Sequence, residues 1–568
     1  MNQKTYILCL ENSLHQKEKV KMSKPLYEPQ SDWSFNLISE IYDACEDIAV
    51  NELGCDCYVN QLEVVTFEQM LDAYASIGMP LSYSHWSNGK AWAHYENQYR
   101  KGRTSLAYEL VINSNPCINY LMEENSMTTQ TLVIAHAAFG HNHFFKNNYL
   151  FKTWTSADSI IDYLMFAKNY IQKCEEKYGL DEVEIFLDSL HAIRNYGINK
   201  YKRPRKLNAR VEAEKAQERA TYLRKQVNEL WDTTVIPNKK DTEEKEKRVS
   251  MAKPEENIIY FLEKHAPNLT DWQRELCRIV RKIAQYFYPQ GQTKVMNEGF
   301  ACFVHYYSMN RLHDKGLITD AAMFEFLRLH TNVLNQPTFD KKWYNGINPY
   351  SLGFAMFMDI KRMCEHPTAE DEEWFPNIAG GDWKEIILDA VANYRDESFI
   401  LQFLSPKVIR DFRLFQLGDN KSDPHYQVKA IHNDQGYKNI RKEMARQYDY
   451  NYRIPDIQVV DYDHDDNRSL LLHHYKGPSQ RELSKTTTIE VLNYIAYIWG
   501  YEIQLDVYSR QAKFVDGEPV GEPFQKVNGY KSTSTDGTPP PEEKPAAKNF
   551  GYWGMFLTSD NIQTIDKS

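Results

Sequence analysis

Two apolar helical stretches of this chain carry imidazoles and a carboxylate where a folded core would bury them. That pairing constrains the fold more than any other feature. The first stretch is Leu132–Asn148 (LVIAHAAFGHNHFFKNN) and the second is Asn297–His305 (NEGFACFVH). Leu132-Val133-Ile134-Ala135 opens the first as an apolar run that delivers His136, and His141, Asn142 and His143 follow Gly140. Glycine weakens helix interiors and suits helix C-termini, so the pattern predicts an end or a bend at Gly140. In the second stretch Glu298 and His305 are two helical turns apart and fall on nearly one face. Buried ionisable groups are costly unless they are paired or bound to an ion. Helices that point such groups inward can build a divalent-metal site. The alternative is a set of hydrogen-bonded core histidines with a helix-capping Glu.

A chain of 568 residues can bury at least one large core and hold more than one structural unit. Its 67 basic residues stand against 78 acidic ones, a net charge of −11, which argues against a protein built to grip phosphate backbones. No apolar run is long enough to span a bilayer. The short run Tyr6–Leu10 is soon interrupted by charge and does not read as a secretory signal. Nine cysteines without a framework fit a reducing cytoplasm. Cys55 and Cys57 form the one close pair, too isolated to specify a zinc ribbon.

Residues 1–24 read as a polar leader. Helical periodicity then marks Trp33–Val50, Phe67–Ile77, Cys117–Asn125, Thr129–Gly140, Ile160–Tyr178, Val183–Tyr196, Pro254–Tyr288, Ala321–Leu334, Leu352–Cys364 and Trp383–Tyr394. Tyr108–Ile112 reads as a strand closed by the turn Asn113-Ser114-Asn115-Pro116. Asp188 and His191 stand at i,i+3, a spacing used for carboxylate–His pairs in helical metal sites. Residues 206–252 read as a charged linker. Near Phe399 the period changes. Arg413–Leu417, Tyr426–Ile431, Ile457–Tyr462, Ser469–Tyr475 and Glu502–Val507 read as strands, and Tyr437–Tyr448 and Thr488–Trp499 as helices. The expected fold class is α+β: a large, mostly helical N-terminal domain over 25–395, then a smaller α+β domain over 396–512 with a mostly antiparallel sheet. A flexible tail is expected over 513–568.

Several longer phrases carry a resemblance. They are Ala73–Pro80, Tyr108–Pro116, Leu121–Asn125, Ala135–Asn142, Phe144–Asn148, Gln292–Ala301, His330–Val333, Gly346–Pro349 and Asp396–Lys407. Together, from Trp33 to about Val507, they resemble the bacterial stage V sporulation protein R (SpoVR) family. The resemblance implies a cytoplasmic bacterial protein linked to spore cortex formation or, outside spore-formers, to stress and stationary-phase physiology. Its expected partners are a PrkA-type serine kinase and a von Willebrand-A-like protein. It supplies no mechanism.

A second, local resemblance does. Val133-Ile134-Ala135-His136 with His141, and later Asn297-Glu298-Gly299-Phe300-Ala301, is similar to the zinc core of gluzincin metallopeptidases, in which an HExxH helix pairs with a Glu on a second helix. By that likeness His136, His141 and Glu298 would hold a divalent metal, zinc by preference; His191 or His305 would complete or flank the shell. This chain departs from the pattern in three ways. The histidines are at i,i+5, Ala137 stands where the general-base Glu belongs, and the two halves lie about 160 residues apart. A zinc-bound water then lacks its usual proton acceptor. Either Glu109, His305 or the His191–Asp188 pair serves instead, or the site binds metal without peptidase chemistry. The two functions in play are a metal-dependent hydrolase of amide bonds and a non-enzymatic assembly protein.

Overall fold

The computed structural model describes residues 24–533, except 29–30, 77–78, 80–81, 101–108, 201–213, 216, 219–253, 339–343, 345, 415, 419–426, 430–432, 463–466, 478–481, 510–511, 516–517 and 522–523. The polar leader before Lys24, nearly all of the charged linker and the chain beyond Thr533 lie outside the described residues. The fold is α+β, as expected: helices dominate the N-terminal part and a mostly antiparallel sheet the C-terminal part. Among the described residues no helix is long and apolar enough to cross a membrane.

The helix Lys294–Asp314, which carries Glu298, is the central strut. Val295, Met296, Phe300, Phe303, Val304, Met309 and Leu312 are buried along its whole length and around its circumference. A helix apolar on all sides belongs inside a core. Its neighbours approach it very closely at glycines. A Cβ on Gly140 would lie 2.6 Å from Ala301 Cα, and one on Gly299 would strike the backbone of Gly353 on the helix Pro349–Glu365. Helix axes at ordinary spacing are held apart by side chains; here two contacts have none. The exposed amides at the strut's N-terminus are satisfied by buried Asp396, whose carboxylate accepts from Val295 N–H at 3.0 Å and Met296 N–H at 2.9 Å.

A small sheet flanks this bundle. β1 (Asn60–Val65), β2 (Glu109–Ile112) and β3 (Cys117–Met122) run in the order β1-β3-β2, with β3 parallel to β1 and antiparallel to β2. The segment Cys117–Asn125 was expected to be helical. It is a strand instead, with Cys117, Asn119 and Leu121 facing inward in alternation. Pairing with β2 across the Asn113–Pro116 turn overrides a run whose apolar residues suit either period.

In the C-terminal part β6 (Ile457–Tyr462), β7 (Leu470–Lys476), β8 (Ile503–Ser509) and β11 (Gln525–Lys531) form a sheet in the order β11-β8-β7-β6. The short strands β4 (Gln416–Gly418) and β5 (Gln427–Lys429), and β9 (Ala512–Val515) and β10 (Glu518–Gly521), pair antiparallel in twos. β7 and β8 are parallel, and the helix Lys485–Trp499 makes the crossover between them. Val459, Leu470, Leu472 and Leu505 pack with Phe186, Ile259 and Ile279 from the preceding helices, so the sheet shares a core with the N-terminal part. Phe399, Ile400, Ile440 and Met444 join the core around the strut instead. Residues 525–531, expected within a flexible tail, are the strand β11, antiparallel to β8. Its outward residues Gln525, Lys526, Val527 and Asn528 are exposed, so the segment lacks the apolar alternation that announces a strand.

The glycine contacts lead to a paired prediction. Gly299→Ala should destabilise the protein by about 1–3 kcal/mol, because backbone atoms of another helix must move. Gly89→Ala, on the exposed helix Trp86–Arg100 with nothing within 4 Å of the added Cβ, should stabilise by about 0.5–1 kcal/mol. Urea denaturation midpoints that shift in the same direction for both would contradict this packing.

Candidate metal centre

Residues Ile134–His141 run as a π-helix between the helices Met127–Val133 and Asn142–Asn147. In a π turn the backbone bonds i to i+5, so residues five apart come onto one side. His136 and His141 meet there with ring centroids 4.6 Å apart, nearly perpendicular at 84°. The wide turn thus does for their i,i+5 spacing what an α turn does for i,i+4. The helix does not end at Gly140 as the sequence predicts. It continues through it, and the missing side chain is needed for contact with Ala301.

Glu298 reaches across from the strut. Its Oε2 lies 3.4 Å from His141 Nε2 and 3.8 Å from His136 Nε2. Glu109, the first residue of β2, places Oε1 3.1 Å from His136 Nε2. The Tyr74 hydroxyl fixes the start of that strand by donating to the Glu109 carbonyl at 2.5 Å. Both imidazoles are buried, while the two carboxylates keep 17–18% of their side-chain surface exposed.

The 3.4 Å between Glu298 and His141 suits two ligands of one ion, whereas the 3.1 Å between Glu109 and His136 lies within hydrogen-bond reach. Donors about 2.0–2.2 Å from a tetrahedral zinc stand roughly 3.3–3.6 Å apart, whereas N–H···O bonds close to about 2.7–3.2 Å. His136 Nε2 and Glu109 Oε2 are buried without a hydrogen-bond partner. Two carboxylates face one histidine nitrogen, and like charges in a dry site repel unless a cation lies between them. Burial pushes the Glu109 carboxyl above its ordinary range, only partly offset by His136 and His141. Burial acts on Glu298 too, but the neighbouring His136 and His141 imidazoles outweigh it and hold that carboxyl well below the usual range. Burial lowers His141, yet contact with Glu298 carries it to about 9. The donor set fits zinc.

Behind the donors lies an outer layer that sets tautomers. His141 Nδ1 lies 2.9 Å from Asn297 Oδ1, an acceptor, so Nδ1 donates there and Nε2 faces the site. His136 Nδ1 contacts His305 Nδ1 at 2.8 Å, and His305 Nε2 contacts His330 Nδ1 at 2.7 Å. If each ring donates to the next, His136 Nε2 is likewise free for an ion. Burial drives His305 far below its ordinary range and His330 to about 3, so both rings are neutral. Cys302 also lies near His136 and His305. Burial pushes its thiol well up, which disfavours the thiolate a metal would need.

Of the residues expected at one site, the fold brings together His136, His141, Glu298 and Glu109. His305, expected to move protons, lies behind His136 and contacts His136 and His330. His191, expected to complete the shell, is not there. It contacts Tyr83 and His85 instead, because its helix, Leu180–Ala192, packs in the other core. Glu325 accepts from Ser126 Oγ at 2.7 Å and backs none of the metal-facing histidines. His143 turns away, accepting from Asp56 N–H at 2.8 Å. Asn297 and His330 were missed, although Asn297 adjoins Glu298 and i,i+3 or i,i+4 partners of a ligand are where outer groups sit.

The fold and the site together define an α+β protein with a buried His/Glu centre between a π turn and a second helix. The chain belongs to the SpoVR family: the model for SpoVR like protein matches residues 32–453, and that for the SpoVR-like C-terminal domain matches residues 455–509. It is 51% identical over 483 residues to the uncharacterized protein YcgB of Escherichia coli (strain K12), an alignment covering 84% of this chain and 92% of that one. No solved structure matches the chain.

Asn297→Leu keeps the side chain's bulk but removes the acceptor that orients His141. Zinc affinity, measured by competition with a chromophoric chelator, should fall by about 10–100-fold. An unchanged affinity would mean that Asn297 has no part in the site.

Proposed function

We propose that the chain is a zinc-dependent hydrolase of amide bonds, with small peptides or peptidoglycan precursors as its substrate class. The observation that carries the reading is the convergence of two imidazole nitrogens and two carboxylates at separations of 3.1–3.8 Å. Glu298 is within reach of both histidines, which supports it, with His136 and His141, as a ligand. Glu109 approaches His136 from the side and comes from a different element. It stands in for the carboxylate that Ala137 lacks.

A bound zinc ion would polarise the scissile carbonyl and acidify a water. Glu109 takes a proton from the attacking water, and the raised basicity that burial confers on it suits that task. The water oxygen bonds to the carbonyl carbon. As the C–N bond breaks, Glu109 returns the proton to the amine nitrogen, leaving a carboxylic acid and an amine. Asn297 holds His141, and the His305–His330 pair holds His136, in the tautomers that ligation needs.

All four central groups come from one chain, so in this reading the PrkA-type kinase and the von Willebrand-A-like protein regulate or recruit the protein and do not complete its site. Every described cysteine is free, which supports a reducing cytoplasm as its location. The link to cortex, cell-wall or stress physiology rests on the family.

Glu109→Gln should retain zinc while chelator-sensitive hydrolysis of muropeptides or short peptides falls by about 10²-fold or more. His136→Ala should lose the metal and the activity together. Wild-type protein that carries no zinc, or a Glu109→Gln protein as active as wild type, would refute the reading.

A further inference from the structure

His191 belongs to a second polar group. Asp188 and His191 share a face of the helix Leu180–Ala192, and His85 meets them from the residue just before the helix Trp86–Arg100. One donor atom from each of the three lies within 4.8 Å of the others. His85 Nε2 is 3.2 Å from Asp188 Oδ1, close to the edge expected between two ligands of one tetrahedral ion, about 3.3 Å. The His85 side chain is 4% exposed, and its Nε2, facing Asp188, makes no hydrogen bond. A buried imidazole nitrogen aimed at a carboxylate without bonding to it is an unexplained expense in a core.

The surroundings hold each group as outer partners of a metal site do. Trp86 Nε1–H donates to both oxygens of Asp188, at 2.9 and 3.0 Å, and fixes the plane of the carboxylate. His85 Nδ1 lies 2.7 Å from Ser87 Oγ and 3.3 Å from the Ser87 amide nitrogen. With Nδ1–H donating to the hydroxyl, the His85 Nε2 lone pair points into the group. His191 Nε2 lies 2.6 Å from the Tyr83 hydroxyl, which fixes the orientation of the ring. Asp188 is one-third exposed, so a water or a substrate atom could reach a further coordination position.

We infer that His85, Asp188 and His191 form a second divalent-metal site, separate from the His136–Glu298 centre. Two imidazoles and one carboxylate select a borderline ion of the zinc–iron class over magnesium or calcium. The bound ion would clip the segment before the helix Trp86–Arg100 to the helix Leu180–Ala192.

Cobalt(II), read by its d–d absorption and by equilibrium dialysis, tests this on the full chain. Wild type should bind an ion at each site. A His141→Ala chain should keep one, and adding Asp188→Asn, which preserves shape, should weaken that remaining ion by about 100-fold or more. His191→Ala should do the same, while either variant alone keeps the ion at the first centre. Wild type binding one ion that disappears in Asp188→Asn but persists in His141→Ala would uphold this site and refute the other. A His141→Ala chain that binds no cobalt, or cobalt binding indifferent to Asp188→Asn and His191→Ala, would overturn it.

Discussion

Backbone-to-backbone contact at Gly140–Ala301 and Gly299–Gly353 is the constraint on which the candidate centre depends. Glutamate and histidine are short compared with ordinary helix spacing, which is about 8–10 Å between axes. With glycine at these crossings the strut lies against the π turn on one side and the helix Pro349–Glu365 on the other. Glu298, immediately before Gly299, then reaches both histidines. Each residue of Asn297-Glu298-Gly299-Phe300-Ala301 has its own task in this arrangement. Asn297 orients His141, Glu298 faces the site, Gly299 and Ala301 admit neighbouring helices, and Phe300 packs against His143 and Phe357.

The π turn solves a second problem. An i,i+5 pair on an α-helix diverges around the axis, whereas the wider turn returns the rings to within 4.6 Å. Such bulges interrupt regular packing and recur at functional sites, and this one sits against the strut. Glu109 comes from β2, which reaches His136 because β3 ties it to β1 beside the bundle. Glu109, Glu298, His136 and His141 thereby lie within reach of one another.

Much of this was legible in the sequence, for physical reasons that particular residues make clear. His136, His141 and Glu298 stood out because ionisable groups on apolar helices need partners, and the strands and helices after Ile457 stood out by their alternation. His191 lies beside Tyr83 and His85 and not beside His136, because i,i+3 spacing fixes a face of one helix and says nothing about which element lies opposite. Cys117–Met122 was read as helix because a short apolar run has no decisive period until a partner strand supplies one. The π turn was invisible, since nothing in Ile134–His141 differs in composition from an α-helix, and Gly140 resembled a terminator when its role is close approach. β11 was hidden by polar residues on an exposed edge.

Diffraction from crystals of the full chain grown with zinc, with data collected on both sides of the zinc absorption edge, tests the central claim most directly. The anomalous difference map should show a peak about 2.0–2.1 Å from His136 Nε2 and His141 Nε2 and about 2.0–2.2 Å from a Glu298 oxygen. A zinc-replete crystal with no peak between these three side chains, and with His136 and His141 hydrogen-bonded directly to the carboxylates, would contradict it.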